Sequence, residues 1–146
     1  MTWGQPGDAR YFSPANAPYG ITVAGSNRDT DTHWMGSNYR VHFYAPAQRV
    51  ESASTEYGPT LGRWLVRTEL SSDCFNPERY FDSCTSGTSF SSPIVAGLIA
   101  RFLQTNPSAT RSTVMSWLNS ESLMSISYQP PGSNESYAAR LVNVTD

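Results

Sequence analysis

The sequence predicts an α/β domain: a mostly parallel sheet packed around a buried helix, with the sheet continued beyond this chain. Three observations carry that reading. "YGITVAGS" (Tyr19 to Ser26) is a short β-branched run ending in small residues, the pattern of a buried strand. The stretch from Ile94 to Leu103 is apolar almost all round, which requires burial on every side. Val114, Trp117 and Leu118 form an i, i+3, i+4 stripe on a second helix. The elements are too few to cover the first helix on all sides, so the chain reads as part of a larger layered domain.

Residues 1 to 20 are rich in Gly and Pro and read as loop, and the strand of Tyr19 to Ser26 follows. "NRDTDTH" (Asn27 to His33) reads as solvated polar loop. "YRVHFYAPAQRVESAS" (Tyr39 to Ser54) alternates around Val41, Phe43 and Ala45 and again around Val50. Pro46 divides it into two short strands. Residues 57–86 read as an inserted surface loop in which only "RWLVRTEL" looks like a strand. Pro93 lacks an N–H and suits a first turn, so the buried helix is placed from about Ser89. Gly97 costs about 1 kcal/mol against Ala inside a helix and is read as admitting another backbone. Pro107 stops this helix, Thr110 or Ser108 caps the next, and "ARLVNV" reads as a closing strand.

Composition narrows the function. The 146 residues carry a net charge of −2, which points to neither nucleic acid nor an anionic membrane surface. All ten basic residues are Arg, and Ser, Thr and Asn supply much of the polarity, a composition that leans towards an extracellular protein. No apolar run approaches the ~20 residues of a membrane span, and "MTWGQPGDARY" is no signal peptide, so either the protein is cytoplasmic or its leader lies outside this numbering. Cys74 and Cys84, separated by nine residues, have no local His and read as a disulfide, with two free buried thiols as the alternative. Asn134-Glu-Ser and Asn143-Val-Thr fit the N-glycosylation pattern.

The chemistry concentrates in "SGTSFSSPIVAG" (Ser86 to Gly97). A serine at a helix start lies where backbone N–H groups converge and the dipole favours negative charge. Both assist attack on a carbonyl, because the oxyanion formed can be held there. Gly87 lets the backbone approach a substrate, and Thr88, Ser91 and Ser92 leave the hydroxyl of Ser89 uncrowded.

"GTSFSSPIVAG" resembles the serine motif of the subtilisin-like serine proteases, G-T-S-M-A-x-P-x-V-A-G. Gly87, Thr88, Ser89, Pro93, Val95, Ala96 and Gly97 stand on its fixed positions, and Phe90 and Ser91 are mild changes. "DARYFSPANAPYGITVAGS" is similar to the D-A-x-x-x-S-P-A segment and following strand of the proteinase K-like branch. "YAPAQRVESAS" resembles A-P-G-x-x-I-x-S, and "ARLVNV" the closing G-x-x-N-V. Trp34-Met-Gly-Ser-Asn38 in place of F-S-N-x-G, and Ala45-Pro46-Ala47 in place of A-P-G, mark a divergent member.

The resemblance implies the C-terminal half of a three-layer subtilisin-like catalytic domain, with residues 57–86 as an extended loop before the serine motif. It implies a secreted endopeptidase acting on peptides or proteins through an acyl-enzyme on Ser89. The triad His and Asp would lie upstream, so the N-terminal half of the same domain is the expected partner. His33 and His42 lie outside the family's H-G-T-H-V-A-G setting. The Ser89 N–H would hold the oxyanion. Gln5 would add a side-chain donor where the family has an Asn, unless residues 1 to 5 are a boundary without a role. Gly87, Thr88 and Pro93 shape the backbone. His42 stands where some relatives carry a calcium-binding Asp, which argues against that calcium site, and no cofactor is expected. The other function class is an inactive subtilisin-like module that binds peptides or a partner chain.

Overall fold

The computed structural model describes residues 6–48, 50, 53–55, 64–66 and 86–143, with only the backbone at 53–55 and 64–66. The expected roles of Gln5, Cys74 and Cys84, and the bulk of the 57–86 loop with Arg63 and Arg67, lie outside the described residues.

Strands β1 (Val23–Ser26) and β2 (Phe43–Pro46) pair in parallel, from Val23 opposite Phe43 to Ser26 opposite Pro46. On its other side β2 takes β6 (Tyr137–Leu141), also in parallel, and β5 (Met124–Tyr128) closes the order β1-β2-β6-β5 as an antiparallel neighbour of β6. The sheet is therefore mostly parallel, as the sequence predicts. A separate antiparallel pair joins β3 (Ala53–Thr55) to β4 (Trp64–Val66), the latter within "RWLVRTEL". Strand β5 is the element that the sequence reading lacks, although Met124-Ser-Ile-Ser-Tyr128 alternates with Ile126 and Tyr128 inward and ends on Pro-Pro-Gly. Gly132 adopts φ 77° in the turn that follows, a conformation other residues adopt at a cost.

Alternation along β2 divides the core. Phe43 and Ala45 face one way, joining Val95, Val114, Leu118 and Val142. Tyr44 faces the other way, with Ala24, Ile126 and Leu141. Both helices, α1 (Thr88–Thr105) and α2 (Arg111–Ser120), pack on the Phe43 face. Neither α-helix packs on the Tyr44 face. Thr110 caps α2, its Oγ1 accepting from the Thr113 N–H at 3.3 Å, and Trp117 stacks on Phe102 at 4.5 Å, so the expected cap and stripe both hold.

The described elements leave α1 partly uncovered, as their small number predicts. Its buried residues are Ser91 and Val95 alone, while Ala96, Gly97 and Ala100 are exposed. The sheet covers one side, and a Cβ placed on Gly97 would meet nothing within 4 Å among the described residues. The placement of Pro93 needs correction, because it is not in the first turn. The helix starts at Thr88, one residue earlier than placed, so Pro93 falls in the second turn and offers no N–H to the carbonyl of Ser89.

An apolar helix face and a β1 edge without a partner strand among the described residues are both templates for association. The 146-residue chain purified by itself is predicted to self-associate, read by light scattering on a sizing column. A monomer that melts cooperatively at high temperature would contradict this.

Candidate active site

Ser89 is the second residue of α1 and its side chain is exposed. Gly87 is the N-cap, with extended backbone (φ 164°, ψ 150°), and no side chain caps the helix. The first turn contains no acidic residue that would neutralise the dipole. Phe90 N–H turns back to the Gly87 carbonyl at 3.0 Å. The hydroxyl of Ser89 therefore stands at the positive end of an 18-residue helix, beside the first-turn N–H groups that a helix cannot use internally.

What fixes that helix start is its seat on β2. The Gly87 N–H donates to the Ala47 carbonyl at 2.8 Å. One turn in, Ser91 is fully buried, and its Oγ lies 3.2 Å from the Ala45 carbonyl and 3.0 Å from that of Pro46. An alanine at position 91 could make neither bond, so the change from the family residue is structurally active rather than mild. The close approach extends to β1: a Cβ on Gly25 would overlap the Ala47 methyl and crowd the Trp34 ring at 3.1 Å. Thr88 and Ser92 border a hollow of about 530 Å³ that continues along Ala15, Ile21, Val23 and Val41.

Neither histidine is placed to serve as the base. His33 is not solvated, contrary to the reading of "NRDTDTH". It is 6% exposed, its Nδ1 is 3.0 Å from the Tyr44 hydroxyl, and its ring stacks on Tyr128 at 4.0 Å. Asp29 and Asp31 are exposed, and a short bridge between Ser26 and His33 folds the end of the loop inward. His33 Nε2 has no hydrogen-bond partner among the described residues, and burial pushes its pKa down to about 4. His42 Nδ1 accepts from the Thr22 N–H at 2.9 Å. Both imidazoles hold strands and loops together.

The chain belongs to the Subtilase family, which it matches over residues 2–139. It is 33% identical over 113 residues to an extracellular serine proteinase of Thermus sp. (strain Rt41A), covering 76% of this chain and 22% of that protein. Its fold is similar to the crystal structure of a cold-adapted subtilisin-like serine proteinase, with a TM-score of 0.62 at 26% identity. That match covers 99% of this chain and 44% of the other. The chain thus spans less than half the length of these relatives.

Two outcomes test the geometry. Ser91→Ala is predicted to destabilise the protein by about 1–2 kcal/mol, because the buried hydroxyl's hydrogen bond to the strand carbonyls is lost, and urea unfolding measures this. His33 is neutral in the fold well below its ordinary value of 6.5, so the unfolded chain binds more protons as pH falls from about 6.5 to 4. Stability is predicted to drop across that window by up to ~3 kcal/mol, and His33→Gln to flatten the dependence of Tm on pH.

Proposed function

We propose that the complete protein is a subtilisin-like serine endopeptidase whose nucleophile is Ser89. The observation that carries this reading is the exposed hydroxyl of Ser89 at an uncapped helix start, within a G-T-S motif of a subtilase chain. A His supplied from the upstream half takes the Ser89 proton as Oγ attacks the scissile carbonyl, and an Asp there orients the His. The oxyanion forms beside the Ser89 N–H, with Gln5 as a further donor. The proton then passes to the leaving amine as the C–N bond breaks, leaving an acyl-enzyme. Water, deprotonated by the same His, attacks the ester and releases Ser89.

The missing base explains the expected inertness of this chain alone, since an unactivated hydroxyl is a poor nucleophile. The exposed face of α1 around Gly97 supports an N-terminal half as partner, because it offers a backbone-wide apolar contact without a cover among the described residues. The substrates are peptides or proteins. The extracellular character of the Thermus relative supports secretion, and with it a Cys74–Cys84 disulfide.

A fluorophosphonate probe applied to the full-length protein is predicted to label Ser89, and Ser89→Ala to abolish labelling and casein hydrolysis. A folded full-length protein that binds peptide but neither labels nor cleaves would establish the inactive-module alternative instead.

A further inference from the structure

The segment that leads into β1 is anchored from two sides. Thr22 and His42 form a reciprocal pair: the Thr22 N–H donates to His42 Nδ1 at 2.9 Å, and the His42 N–H donates to the Thr22 carbonyl at 2.9 Å. Just before it, Arg111 donates Nε to the Tyr19 carbonyl and Nη2 to the Gly20 carbonyl, each at 3.1 Å. One planar guanidinium therefore collects two consecutive carbonyl oxygens, a task its rigid fork suits and a lysine ammonium does not.

This is the neighbourhood in which some relatives of the resembled family carry a calcium-binding Asp, where this chain has His42. The donors do not fit a calcium ion. Calcium takes six to eight oxygen ligands. Position 42 offers an imidazole, and its Nδ1 lone pair is already committed to the Thr22 N–H. The carbonyls of Tyr19 and Gly20 already accept from a cationic side chain. Burial, and then the charge of Arg111, hold His42 below its ordinary pKa, so the neutral acceptor form is favoured.

The position of Arg111 makes the substitution pointed. It is the first residue of α2, where the helix dipole disfavours a positive charge. Two charge-assisted hydrogen bonds to a distant loop supply the compensation.

We infer that Arg111 is a cation carried by the chain itself, which with His42 fastens the Tyr19–Thr22 segment in place of a bound calcium ion. The clamp ties the start of α2 to the entrance of β1. Through Gly25 it bears on the packing beneath Thr88, and so on the seat of α1. It is independent of the chemistry at Ser89.

The test is amide hydrogen exchange of the Tyr19–Thr22 peptide in the full-length protein, with a chelator and with added calcium. In the native protein the exchange is expected to be the same in both. Arg111→Gln is expected to speed it about tenfold, and Arg111→Lys, which keeps the charge without the fork, to fall between. Chelator-dependent exchange of this peptide in the native protein, or unchanged exchange in a folded Arg111→Gln variant, overturns the inference. If Arg111→Gln does not fold, the Lys variant and the chelator comparison decide it.

Discussion

The arrangement rests on how the first turn of α1 is seated on the end of β2. The Gly87 N–H reaches the Ala47 carbonyl, and the Ser91 hydroxyl lies between the carbonyls of Ala45 and Pro46. Without the Ser91 hydroxyl, a strand carbonyl there would lose its donor, at a cost of about 1–3 kcal/mol. The same contacts set the direction of the helix axis, and therefore where its positive end points. The packing of Gly25 against Ala47 and Trp34 makes the seat tight. Ser89 is presented to solvent because Ser91, two residues on, is held under the helix.

Around that seat the described residues are one-sided. The Phe43 face of the sheet has both helices, whereas α1 turns Ala96, Gly97 and Ala100 outward. Such small residues would be an odd choice for a solvated helix face, which ordinarily carries charge. They suit a surface that a second layer of backbone approaches closely. This agrees with a chain that spans 44% of its structural relative.

What was legible in the sequence was local or carried by a long motif. The cap at Thr110 needs only its own first turn, and the stripe of Val114 and Leu118 only helical spacing. Ser89 stands out because six flanking positions agree with one family pattern. The failures were non-local. His33 sits in a run of polar residues that reads as solvent-facing, yet its burial is decided by Tyr44 and Tyr128, far along the chain. Arg111 looks like an ordinary surface charge until the Tyr19 and Gly20 carbonyls are beside it. The composition of α1 records the finished environment of a helix, with cover on every side. The part of that environment lying within the described residues covers one side.

The parallel pairing of β2 with β6 has a kinetic consequence. The two strands are brought together from distant parts of the chain, as are Arg40 and Tyr137 beside them, which bond across 97 positions. Loop-closure entropy must be overcome before such a contact yields anything, so high-contact-order sheets form slowly. During synthesis, β2 would leave the ribosome well before β6 and wait with one edge unmatched. Until the last strand arrives, that edge is available to wrong partners, and the chain is at its most vulnerable to aggregation and to proteolysis.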